Sequence, residues 1–234
     1  MTDALDHSIK SQIDAVEGWL TDREAAFLYH AAHSCAVPGE IVEIGSFKGK
    51  STVCLGLGSS AGRRIPISAI DPHETDTQAA HHEGASTLPV FEQNIARAGV
   101  ADLVTQIPEF SAAVGARWTR PIALLWIDGD HSYAGALQDA ALFTPWVVDG
   151  GVVAFHDATQ GDLPRVVRKV FGDPQYSALG IVDSIVYATK SSAAKKSLRD
   201  VLVLAALSHY DRARTIARVL PLRSMFKRAL RPLR

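Results

Sequence analysis

Short apolar runs that stop abruptly at charged or glycine residues recur along this chain. Between them lie stretches in which apolar residues return every three or four positions. The first pattern reads as strands buried on both faces, the second as helices packed over them. On this reading Ile41–Ile44, Ile65–Ile70, Leu103–Ile107, Pro121–Ile127 and Val152–Phe155 are strands, and Tyr176–Val182 and Ile185–Thr189 form a hairpin about Asp183. One or two helices are expected over residues 8–35, with others at Thr52–Ser59, Val90–Ala98, Ser111–Arg117, Tyr133–Phe143 and Arg165–Phe171. Thr21 followed by Glu24 has the form of a capping box. Pro145 ends one helix, and Gly150-Gly151 is expected to turn the chain back into the next strand. Strands alternating with helices predict an α/β doubly wound sheet of seven strands, mostly parallel, with an antiparallel final strand at its edge.

Composition refines this picture. At 234 residues and 47% hydrophobic, the chain reads as one large domain with appendages. Residues 1–38 form an N-terminal helical cap, 39–190 the main domain, and 191–234 a helical extension. A formal net charge of −1 leaves no nucleic-acid footprint. Cys35 and Cys54 in apolar contexts, no secretory pattern at the start, and no apolar run near the ~20 residues of a membrane span together predict a reduced, soluble, cytoplasmic protein. Residues 72–88 are polar, carry His73, His81 and His82, and lack periodicity, as a lid over a ligand would. Beyond Lys190 the chain is basic, with Leu198, Leu202, Ala205 and Leu207 at helical spacing. That helix packs on the body or on a second copy, giving a homodimer, or makes weak contact with an anionic partner or membrane surface.

The candidate chemistry lies where strands end. Parallel strands start at one edge, so Asp128-Gly129-Asp130-His131 and His156-Asp157 meet at the carboxyl edge, where open α/β sheets bind ligands. Another strand runs into Glu43-Ile44-Gly45-Ser46-Phe47-Lys48-Gly49-Lys50-Ser51. A phosphate-cradling loop needs four residues between its first Gly and Gly-Lys-Ser, and here Ser46, Phe47 and Lys48 are one short. The dinucleotide fingerprint is also absent, because Phe47 stands at its middle glycine. What remains is an acid at a strand end, a turn with Gly45 and Gly49 for close approach, and Asp71 after the second strand to accept from ribose hydroxyls. Glu43 would balance a positive charge. The set suits S-adenosylmethionine, which has adenosine, an amino acid and a sulfonium but no phosphate.

A hydroxyl is a poor nucleophile near neutral pH. A Mg²⁺-like divalent cation held by carboxylates lowers its pKa, and a nearby imidazole takes its proton. His131 is the candidate base, with capping of the following helix as its other role; Asp130 is expected to cap that helix.

With these motifs in view, Ile41–Thr189 resembles a class I S-adenosylmethionine-dependent methyltransferase with a Rossmann-like sheet. It is most similar to the family-24 type, which has E-I-G-x-x-x-G-x-S, then W-I-D-G-D-H-S-Y, then G-G-x-x-x-x-H-D. Several of these are metal-dependent sugar O-methyltransferases, and the group includes proteins labelled cephalosporin hydroxylases. The resemblance implies that Glu43, Gly45, Ser46, Gly49, Ser51, Asp71, Ser111 and Asp128 line the cofactor. It also implies that Asp128, His156 and Asp157 hold the metal, and that Asp128 and His131 are catalytic. Glu109-Phe110 departs from the small residues usual beside the adenine, and His156 replaces a usual Glu, which leaves it open as a metal ligand, a group behind the ligands or a substrate contact. The expected acceptor is a sugar, glycoside or polysaccharide precursor. A catechol-type phenol, an Fe(II) oxygenase at Asp128, His156 and Asp157, and a nucleoside-binding protein without turnover are the alternatives.

Overall fold

The computed structural model describes residues 4–74, 86–193 and 195–219. Its strands are β1 (Glu40–Ile44), β2 (Ile67–Ile70), β3 (Val104–Ile107), β4 (Ile122–Ile127), β5 (Val147–Phe155), β6 (Tyr176–Val182) and β7 (Ile185–Lys190). They form one seven-stranded sheet in the order β3-β2-β1-β4-β5-β7-β6. The pairings through β5 are parallel, and β7 runs antiparallel to both of its neighbours. This is the doubly wound, Rossmann-like architecture of the methyltransferase fold.

Every residue of β1 and β4 is buried, which is why these strands read as unbroken apolar runs. Successive side chains feed opposite cores. Val42, Leu125 and Ile127 point to the layer of α5 (Ser111–Gly115), α6 (Tyr133–Phe143), α7 (Leu163–Phe171) and α8 (Leu198–Val219). Ile41, Leu124 and Trp126 point to the layer of α1 (His7–Asp14), α2 (Asp22–His33), α3 (Lys50–Ala61) and α4 (Leu88–Arg97). Trp118 and Trp126 are core, whereas Trp19 is exposed.

Two expectations are corrected. Gly150-Gly151 does not turn the chain: β5 begins at Val147 and passes through both glycines, opposite a register shift against β4 between Ile122 and Leu124. The pair therefore sits at a bulge, where Gly150 takes φ 81°. The reversed strand is also not at the edge, because β7 inserts between β5 and β6. A hairpin whose second strand pairs inward carries the same sequence signature as one that pairs outward.

The N-terminal cap is built into the sheet layer. A β-carbon on Gly58 would lie 2.1 Å from the Tyr29 carbonyl oxygen, so only glycine lets α2 lie this close to α3. The Thr21–Glu24 capping box is present, and Thr21 Oγ1 and Arg23 also reach Asp183 in the β6–β7 turn, both at 2.7 Å. At the other end, α8 lies on α7 and β6 with Leu207 buried, leaving Leu198, Val201 and Leu202 exposed. Cys35 and Cys54 are free thiols. Among the described residues no helix is long and apolar enough to cross a membrane. His81, His82 and the chain beyond Val219 lie outside the described residues.

The start of α8 is fastened by Asp200, whose carboxylate accepts from the Ser197 N–H at 2.7 Å and the Leu179 N–H at 2.6 Å. Burial opposes its ionisation, but these hydrogen bonds prevail and hold its pKa below the ordinary 3.8. Such a group stabilises the fold above its unfolded pKa, and the contribution is lost as pH falls through the folded value. Asp200→Ala is expected to cost about 2 kcal/mol at pH 7. Thermal melts should show the gap from wild type closing as the pH drops below 3.8.

Candidate active site

The strand order reverses between β1 and β4, and the hydrogen-bond ladder continues one residue past each strand end there. Gly45 N–H donates to Ile70 O (2.9 Å), Asp128 N–H to Ile44 O (2.8 Å), His156 N–H to Ile127 O (3.0 Å) and Asp71 N–H to Ile107 O (3.2 Å). Gly45, Asp71, Asp128 and His156 thus form a row along the carboxyl edge. Above them opens a cavity of about 620 Å³. Its lining includes Ser46, Ser51, Asp71, Ser111, Asp128, His131 and Asp157, together with Trp19, Phe47 and Phe110.

The glycine turn is held from below and from one side. The Asp71 carboxylate accepts from the N–H groups of Ser46 (2.8 Å), Phe47 (2.8 Å) and His73 (2.6 Å). Phe47 and His73 both have positive φ, so the acid stabilises a turn that local preference opposes. The expected ribose acceptor is therefore also the anchor of the turn. A carboxylate has about four acceptor sites, and these three bonds leave roughly one for a ligand.

Glu43 is placed differently from expectation. It is fully buried and does not line the cavity; instead it accepts from Ser46 Oγ (3.0 Å), Ser51 Oγ (2.5 Å) and Thr52 Oγ1. It organises the hydroxyls beneath the turn rather than meeting a ligand. Gly49 also lies behind the turn, against the Phe91 ring. Ser111 does line the cavity, but its hydroxyl donates to Asp139 at 2.6 Å, leaving exposed Phe110 as the apolar surface on that wall.

Among the described residues, the atoms of Asp128, His131 and Asp157 that could ligate a metal lie within 4.8 Å of one another. His131 Nε2 is 3.5 Å from Asp128, and its Nδ1 is 3.9 Å from Asp157. The hydrogen bond to Asp128 outweighs desolvation and raises the His131 pKa. Asp157 adopts φ 46° and accepts from Gln160, so its direction is fixed by a strained residue and a local hydrogen bond. Asp130 accepts from the N–H and hydroxyl of Ser132, and Ser132 caps α6. Asp130 thus acts on the capping residue, and His131 takes no part in the cap.

His156 lies deeper in the same cavity. It was expected among the ligands, yet its ring is buried between two carboxylates, with Nδ1 3.1 Å from Asp128 and Nε2 3.6 Å from Glu24. Burial disfavours its charge, but these two partners dominate and raise its pKa. Glu24 is the residue that sequence reasoning missed. Its capping box accounted for it fully as a local feature, yet the same carboxylate also accepts from Ser184 N–H (2.9 Å) and Ser184 Oγ (2.6 Å). Burial pushes its pKa up, and the bonds from His156, Ser184 and Thr21 overcome this and hold it low. Nothing in residues 21–24 announces a partner about 130 positions away.

Residues 42–158 match a family model described as a methyltransferase domain. Among solved structures, the fold is similar to the O-methyltransferase NovP (17% identity, covering 73% of this chain and 80% of that one, TM-score 0.61). It is also similar to the SAH-bound methyltransferase PaMTH1 of Podospora anserina (13%, 80% and 89%, 0.59). A third is an O-methyltransferase of Bacillus cereus in complex with SAH (15%, 80% and 92%, 0.55).

The buried Glu43 makes a prediction. Burial raises its pKa to about 7, only partly offset by the three hydroxyls, with Asp128 adding to the rise. Between its ordinary 4.5 and about 7 the folded protein keeps a proton that the unfolded chain releases, so this group lowers stability as pH rises. Relative to wild type, Glu43→Gln should gain on the order of 3 kcal/mol between pH 4.5 and 8 in denaturant titrations. A pH-independent difference would refute the buried, neutral carboxyl.

Proposed function

The chain belongs to the methyltransferase family whose domain spans its residues 42–158, and on that premise we propose that it transfers a methyl group from S-adenosylmethionine to a hydroxyl of a sugar, glycoside or polysaccharide precursor. One observation carries the reading. The glycine turn with Asp71, suited to a nucleoside bearing an amino acid, and the Asp128–His131–Asp157 cluster, suited to activating a hydroxyl, line one cavity. The SAH complexes of the Podospora anserina and Bacillus cereus proteins, which share the fold, support the choice of donor.

Two carboxylates beside one imidazole suit a hard divalent cation such as Mg²⁺ or Mn²⁺. Asp128 and Asp157 would hold it, with His131 at its border. When bound, such an ion lowers the pKa of an alcohol and orients its oxygen. The remaining work belongs to the chain's own groups. His131, half-exposed in the cavity, receives the hydroxyl proton, and the flanking carboxylates stabilise the imidazolium. His156, held by Glu24, fixes Asp128 and offsets part of the cluster's negative charge. The turn from Gly45 to Ser51 orients the donor so that oxygen, methyl carbon and sulfur align. The oxygenase alternative is disfavoured because both nitrogens of His156 face carboxylates, leaving a single imidazole in the cluster.

The test begins with calorimetric titration of S-adenosylmethionine into the protein with Mg²⁺ and with chelator. Binding is expected in both, with turnover only in the first. His131→Ala should lower kcat by about 100-fold or more while donor affinity is kept. Unchanged properties in that variant would favour a binding protein without turnover. Product analysis with sugar and catechol acceptors separates the acceptor classes, and a strict phenol preference would exclude the sugar.

A further inference from the structure

We propose that the exposed indole of Trp19 is the platform on which the ring of the acceptor stacks, and that the acceptor is a cyclic compound with adjacent hydroxyls, one face of it apolar. This rests on the methyl-transfer reading and extends it to a part of the chain outside the matched domain.

Trp19 is 72% exposed, while Trp118 and Trp126 are core residues. A single exposed apolar side chain is ordinary in itself, so what matters is where this one stands. It lines the same cavity as the Asp128–His131–Asp157 cluster. The indole is also held rather than loose. It packs on the Phe47 ring with centroids 5.1 Å apart, and the segment carrying it is tied to the glycine turn by Glu17 with Lys48 at 2.6 Å. Phe47 is in turn fixed through its N–H by Asp71. The opposite face of the indole is therefore presented in a set orientation.

Its reach is bounded by the chain. Trp19, against Phe47, stands only five positions before Glu24, against His156, so the connector spans at most about 17 Å. The platform and the Asp128–His131–Asp157 cluster line the same cavity. The other exposed aromatic of the cavity, Phe110, stands beside Ser111, on the wall assigned to the adenosine of the donor. Trp19 is then left for the second substrate. An indole face pairs with the C–H face of a sugar or with a phenol ring, while the ring hydroxyls point toward carboxylates and imidazole. Both sources share that chemistry.

The experiment compares wild type, Trp19→Ala, Trp19→Tyr and Trp19→Phe. Acrylamide quenching of tryptophan fluorescence is measured with SAH alone, then with methyl glycosides bearing vicinal diols, then with catechol. The exposed component present in wild type and missing in Trp19→Phe should be shielded by an acceptor and not by SAH. Shielding by the glycosides, or only by catechol, supports the platform and names its source. Trp19→Ala should raise the acceptor KM about tenfold, with SAH affinity within twofold of wild type, and Trp19→Tyr should retain most of the affinity. The proposal is overturned if SAH alone shields Trp19, if no ring compound does, or if Trp19→Ala weakens SAH as much as acceptor. The last result would make Trp19 a prop for the Phe47 turn. Failure of wild type to bind SAH would strike the methyl-transfer reading itself, a separate outcome.

Discussion

A β-carbon on Gly45 would lie 2.2 Å from the carbonyl oxygen of Asp128. That close approach of two backbones is the constraint on which the site depends. It lets the turn after β1 cross over the end of β4, so that an arm able to hold a nucleoside and an acidic cluster share one cavity. Any side chain at this position would have to separate the two central strands where their ladder is still hydrogen-bonded. The left-handed φ of 84° at Gly45 imposes a second requirement for glycine at the same residue. Two independent demands on one position make it the least replaceable point of the edge.

Around that crossing, charges are arranged in alternation. Asp128 stands between two imidazoles, and the deeper of these, His156, stands between Asp128 and Glu24. A buried carboxylate alone would lose its charge, as Glu43 tends to do among hydroxyls. The pKa of Glu24 is held low because the His156 ring and three donors, one on Thr21 and two on Ser184, converge on it. The two buried glutamates thus differ in their partners: an imidazole and backbone N–H groups at Glu24, only hydroxyls and the Asp128 charge near Glu43. This explains how an acidic cluster persists at the mouth of an apolar sheet.

Much of this was legible in the sequence, and the rest failed for identifiable reasons. Fully buried strands such as β4 announce themselves, and an apolar run ending in Asp128-Gly129-Asp130-His131 points to the edge that binds ligands. The capping of α2 was also readable because it is local. Contacts across the sheet were not. Glu24 satisfied a local rule completely and so gave no reason to seek a distant one. The His156-Asp157 pair was readable as a unit, and the two side chains do lie 3.7 Å apart, but nothing in the pair pointed to Glu24 behind it. Gly150-Gly151 carries a turn signature that a bulge shares, and a hairpin motif does not say which of its strands pairs inward.

The insertion of β7 between β5 and β6 has a consequence for the order in which the molecule can be completed. A strand that arrives last occupies an interior slot, so until residue 190 is available β5 presents an unpaired edge. The Ser184 turn that fastens Glu24 belongs to the same late hairpin. During vectorial synthesis, α2 therefore waits for about 160 residues before its buried carboxylate finds all its partners. Fastening of Glu24 behind His156 and closure of the sheet both await the same hairpin. A chain halted before β7 would hold every residue of the matched domain and still lack a finished active site.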